Sequence, residues 1–259
     1  MKDTWLLSVF LAALSGGLIA KLIDYPVAWI KASRREKKSA KALVDAHLDP
    51  LLKAADAIVG KTTSLAERDF SVQTDQRGLA PSSALTQDLV GLAYLYARFW
   101  GRINILAEES LGMSLAADKR GAKLQRFIAC LGSQRIRLVN RTHQNAIGEI
   151  TTELSFNGGR RTIGLVEFGT KIAEDGSADA WCKPLTQLLA KTRTKAARQR
   201  LLVYGVVVHA LVDTLDPDHQ STHPRMSYAN KLSKNSKQEI VHLVFGEYLT
   251  EVGATNRYT

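Results

Sequence analysis

The sequence predicts an all-α fold, a bundle-like cytoplasmic helical domain carried on a single N-terminal transmembrane helix. Three observations predict it. Residues 5–20, WLLSVFLAALSGGLIA, carry no charge. Leu85, Leu89, Leu92, Tyr96, Phe99, Ile103 and Leu106 recur at alternating spacings of four and three, the apolar stripe of an amphipathic helix. No series of period-two segments marks a set of strands.

The elements are taken in chain order. The apolar character of the amino terminus continues from Trp5 to Trp29, roughly 36 Å at the helical rise of about 1.5 Å per residue. That length spans a hydrocarbon core of about 30 Å. Trp5, Tyr25 and Trp29 fit interfacial aromatic positions. A cleaved signal peptide with its cut near Ala13-Leu14-Ser15 is the rival, but the apolar run continues beyond it and Asp3 offsets Lys2. The expected anchor therefore covers residues 1–30.

Residues 31–41, KASRREKKSAK, hold six basic side chains against Glu36. Lys31, Arg34, Arg35, Lys37, Lys38 and Lys41 form a membrane-surface collar, expected to meet the bilayer and its anionic headgroups. By the positive-inside rule they place the bulk of the chain on the cytoplasmic side of an inner membrane, with the amino terminus outside. Half of the net charge of +10 lies in these eleven residues. The remainder carries too little excess to argue for nucleic acid, and no recognition motif accompanies it.

The stalk, residues 31–60, is expected to stop as a helix at Asp49-Pro50 and to resume as a short amphipathic segment over Leu51, Leu52, Ala55, Ile58 and Val59. Residues 71–83 read as a loop. The striped helix follows, its stripe facing a core or a partner helix. SLAADKRGAKLQRFIACL then places Leu124, Phe127, Ile128 and Leu131 on one face and Lys119, Arg120, Lys123 and Arg126 on the other. From Ser133 a further helix is expected through Ile136, Val139, His143, Ile147 and Ile150 to about Leu154. FNGGRR, residues 156–161, signals a loop and a joint between helical subdomains at 61–156 and 157–259.

After a short segment at 163–172, Pro184 is expected to open a helix at its favoured first position. The basic run KTRTKAARQR, residues 191–200, leads into LLVYGVVVHALVDTL, which is apolar on every side. Twelve residues separate Arg200 from Asp213, too few for a membrane span, so this run is read as a central buried helix. Ser236 with Glu239 matches a capping box for the last helix. Cys130 and Cys182 stand far apart among apolar residues and read as reduced, buried thiols.

HALVDTLDPDHQSTH, residues 209–223, is the one stretch with the composition of a site. His209 and Asp213 are four apart and share a helix face. His219 and His223 follow beyond Pro217. These four could ligate a divalent metal such as zinc or manganese, or serve as general acid and base. The spacing is not HExxH, and no phosphate-binding loop or nucleophile elbow occurs. The competing expectation is no cofactor: a core histidine paired with Asp213, and Asp216 and Asp218 ending the helix.

The segments YLYARFWGRINILAEES and DKRGAKLQRFIACLGSQRIRLVNRTHQNAIGE, with HALVDTLDP, resemble a group of uncharacterised bacterial proteins with an amino-terminal membrane segment and a helical body. The resemblance spans residues 85–250 and implies a bacterial inner-membrane setting but no activity. Three functions follow as expectations. The first is a membrane-anchored interaction, regulatory or scaffold module with a protein partner or a second copy. The second is a membrane-tethered metal-dependent hydrolase, and the third a nucleic-acid-binding protein of defence or stress.

Overall fold

The structure is a computed structural model. It describes the backbone of residues 3–70, 87–228 and 231–259, and the side chains of 29–70, 87–228 and 231–259. The first helix, α1 (Asp3–Glu67), is a single run of 65 residues. Anchor and stalk are thus parts of one helix. The transmembrane expectation is corrected: among the described residues no helix is long and apolar enough to cross a membrane. The side chains of residues 5–28, on which that expectation rested, lie outside those described. The described part of α1 is amphipathic. Its collar stands exposed at Lys31, Arg34, Arg35, Lys37, Lys38 and Lys41, and Val44, Leu48, Leu51, Ala55 and Ile58 are buried.

That stripe also explains why α1 continues past Pro50. A proline inside a helix removes one backbone hydrogen bond and crowds the preceding turn, at a cost of about 3 kcal/mol. Val44 and Leu48 before it, and Leu51, Leu52 and Ala55 after it, face the same core. Burying each such side chain contributes roughly 1.5–3 kcal/mol, so the sum outweighs the break.

The striped helix is α2 (Gln87–Glu109). Leu92, Tyr96, Phe99 and Leu106 are buried, while Leu89 and Ile103 pack against the core from its edge. Leu85 lies outside the described residues. After a 3-10 turn at Leu115–Ala117, α3 (Lys119–Leu131) starts at Asp118, whose carboxylate accepts from the Arg120 and Gly121 amides. Leu124, Phe127 and Leu131 face inward as expected. On the other face Arg120 pairs with Asp45 and Arg126 with Glu251.

The helix expected from Ser133 starts only at Asn140, whose side chain caps α4 (Arg141–Ile150). Where it was expected to continue, the chain forms a hairpin, β1 (Thr152–Leu154) with β2 (Arg160–Thr162), in the register Thr152↔Thr162. FNGG is its turn, and Gly158 takes the left-handed conformation at φ 77°. Then come α5 (Leu165–Glu174) and α6 (Gly176–Ala190). Asp175, not Pro184, opens α6, through the Ser177 amide, and Pro184 lies within the helix.

The central helix α7 (Lys195–Leu215) is buried at every position from Leu201 to Val212, as its all-round apolarity predicts. Its first turns take up Lys195, Arg198 and Arg200 of the second basic run, while Lys191 and Arg193 precede it. The chain closes with α8 (Lys234–Glu239), capped by Ser233 rather than Ser236. Nine residues wound as a π-helix follow, Ile240–Tyr248, and then a 3-10 turn at Thr255–Arg257. One cluster of buried side chains runs from Val44 to Tyr258. Both cysteines are free and buried within it, and burial pushes each thiol up to about 12.

Candidate functional site

The stretch from His209 to His223 divides. His209 and Asp213 lie on α7 and are buried side chains. Their closest approach, Nε2 to Oδ2, is 3.6 Å, beyond hydrogen-bond reach. Asp213 is instead held by Tyr258, whose hydroxyl donates to Oδ2 at 2.6 Å, and by Arg257 at 3.4 Å. His219 reaches the other oxygen only at 3.6 Å. Burial holds the His209 imidazole below its ordinary range, with Asp213 opposing that shift. The ring is therefore neutral at pH 7, packed edge-on against Tyr258 with centroids 5.4 Å apart. Burial and the bond to Asp213 both push the Tyr258 phenol up.

Asp216 ends α7 and organises the loop. Its carboxylate accepts from the Gln220 and Ser221 amides at 2.9 and 3.0 Å and from the Thr222 hydroxyl at 2.8 Å. Burial opposes ionisation here, but these donors outweigh it and hold the carboxyl below its usual range. His219 sits at φ 50°, a left-handed position that histidine enters more readily than most residues. Its Nδ1 lies 3.1 Å from the Thr222 hydroxyl.

His223 belongs elsewhere. Its ring is largely exposed and turned toward α1, Nδ1 standing 2.8 Å from Asp56 Oδ2. Arg225 grips the same carboxylate with Nε at 2.8 Å and Nη2 at 3.0 Å. Against the cost of burial, these two partners keep the Asp56 carboxyl below its usual range. Arg225 passes so close over α1 that a Cβ on Gly60 would lie 2.6 Å from its guanidinium carbon. Thus His209, Asp213 and His219 come together, while His223 does not join them. Among the described residues, no three His, Cys, Asp or Glu side chains are placed to hold a metal ion.

Sequence reasoning missed Tyr258, Arg257, Asp56 and Arg225. No local signal could have found Asp56, which lies 167 residues from His223. It also missed a groove. Where the start of α2 meets α5 and α6, a depression of about 870 Å³ is lined by Val90, Leu165, Val166, Gly169 and Ile172, with Asp179 on its edge. Leu165 is 45% and Val166 83% exposed. Asp88, Glu167 and Glu174 stand exposed on the same three helices.

No protein-family model matches the chain, and no curated protein or solved structure does so at a significant level.

Proposed function

We propose that the helical body is an interaction module that takes a basic, amphipathic segment of a partner protein into the groove over α5 and α6. The carrying observation is the apolar lining left open to solvent at Leu165 and Val166. Single exposed apolar residues are ordinary, but a contiguous concave set marks a binding surface. Asp179 belongs to the groove's lining, and Asp88, Glu167 and Glu174 stand exposed on the same three helices of a chain whose net charge is +10. That local reversal of sign selects a basic occupant and speeds its encounter. An amphipathic helix laid apolar face down matches the shape.

The test is titration of the full chain with a synthetic amphipathic helix of leucine and lysine, with a leucine–glutamate helix as control. The basic peptide binds and the acidic one does not. Val166→Asn weakens binding by roughly tenfold, the loss expected for one well-buried side chain of an anchor. Equal binding of both peptides, or indifference to Val166→Asn, ends this reading.

A further inference from the structure

A second feature lies on α2, away from the groove. Arg98 and Arg102 are four residues apart, so their side chains lie on one helix face over adjacent turns. Both are half-buried. The Nε atom of each is shut off from solvent and has no hydrogen-bond partner. Neither guanidinium forms an ion pair with a described residue. Burial, and then the charge of Arg98, hold the Arg102 guanidinium below its usual range.

The two carboxylates at the end of the same helix have other partners. On the same helix Glu108 pairs with Arg160 and Glu109 with His47. Tyr94, one turn before Arg98, donates to the Ile163 carbonyl at 2.8 Å. The contrast with Arg225 is direct, since that half-buried arginine meets both oxygens of Asp56. Two like charges on one helix face repel each other, and their sheltered Nε donors have no acceptor among the described residues. Packing of the aliphatic stems against the body accounts for their position. It does not account for keeping both Nε donors unsatisfied where uncharged side chains would pack without that cost.

We infer that Arg98 and Arg102 form a binding site for a phosphate group, a doubly charged tetrahedral oxyanion that both guanidinium forks clasp. Guanidinium forks match the paired oxygens of phosphate and bind them through parallel charge-assisted bonds. A dianion neutralises both arginines at once, which a single carboxylate does not. The site lies on the helix flanked by β2, whose Arg160 and neighbouring Ile163 contact Glu108 and Tyr94, and it is distinct from the α5–α6 groove.

Thermal melts and calorimetric titrations of the full chain with inorganic phosphate, against chloride at matched ionic strength, test this. Phosphate raises the melting temperature of the wild type saturably. Arg98→Gln with Arg102→Gln abolishes the rise, and without phosphate that variant melts no lower than the wild type, because it loses an uncompensated charge pair. Arg98→Lys with Arg102→Lys keeps the charge but not the fork, and binds phosphate roughly tenfold more weakly. A comparison with glycerol 3-phosphate tells a phosphate ester from the free ion, the response to phosphate being required in both cases. The inference is overturned if matched chloride acts as well as phosphate, or if either double variant responds like the wild type. It is equally overturned if the glutamine variant fails to fold or melts well below the wild type in phosphate-free buffer, which would make the arginines structural.

Discussion

At the scale of single residues, His209 shows how composition and chemistry part company. Its histidine-carboxylate neighbourhood resembles a metal or acid–base site. In the fold its ring is buried against Tyr258, and Asp213 turns its closest oxygen to the tyrosine hydroxyl. A neutral, desolvated imidazole must take up a proton in acid, and the folded state resists this. Because the folded pKa lies below the unfolded value of about 6.5, the unfolded chain binds more protons once the pH falls to that value. The contribution to stability is therefore complete above about pH 6.5 and shrinks as the pH falls toward the folded pKa. Urea midpoints measured from pH 7.5 down to 5.5 should fall more steeply for the wild type than for His209→Gln. Parallel slopes would show that His209 is not the group that titrates. The placement of His209 and Asp213 on one helix face was legible from their spacing. The capture of Asp213 by Tyr258, 45 residues on, was not, because no local pattern encodes it.

At the scale of elements, close approach of helices decides more than propensity. Helices α2 and α4 cross where Gly101 and Gly148 remove side chains. A Cβ on Gly101 would lie 2.6 Å from the Thr151 hydroxyl, and one on Gly148 2.5 Å from Asn104 Nδ2 and 3.0 Å from the Trp100 carbonyl carbon. The same crossing is tied by Asn104 donating to the Asn145 carbonyl at 2.8 Å and Thr151 to that of Ala97 at 3.0 Å. Alanine in place of a helical glycine gains up to about 1 kcal/mol in propensity, but overpacking costs about 1–3 kcal/mol. The steric term wins because part of the obstacle is backbone. Gly148→Ala should destabilise the fold by about 1–2 kcal/mol in urea unfolding, and a stabilised variant would contradict the crossing. Element identity was legible where the pattern is long, as in α2, α3 and α7. It failed at α4, where Ile136 and Val139 are buried without being helical, so burial imitated the period of a helix.

At the scale of the whole molecule, α1 and α7 bind distant parts of the chain into one body. The described half of α1 packs on both α2 and α7. Trp100 of α2 donates to the Tyr204 hydroxyl of α7 at 2.9 Å within the core. Residues on both sides of the FNGG turn, from Ile147 and Ile163 to Leu211 and Val244, share one cluster. With a common core, the helical body should unfold cooperatively in one calorimetric transition. Two separated transitions dividing near residue 156 would show that the halves are independent units.

Periodicity and local polarity were enough for the helical class, the positions of the longest helices and the burial of the two thiols. They also marked the exposed basic collar, since six cations in eleven residues cannot be buried unpaired. Packing settles that α1 runs through Pro50, that the histidine cluster divides between Asp213 and Asp56, and that α5 and α6 leave an apolar groove with Asp179 in its lining. The fold also leaves Arg98 and Arg102 without a carboxylate partner among the described residues. Each of these depends on which remote side chain arrives at a surface, and the residues concerned are tens to more than a hundred positions apart. Local pattern sets what a segment can become, and packing sets which of its groups find a partner.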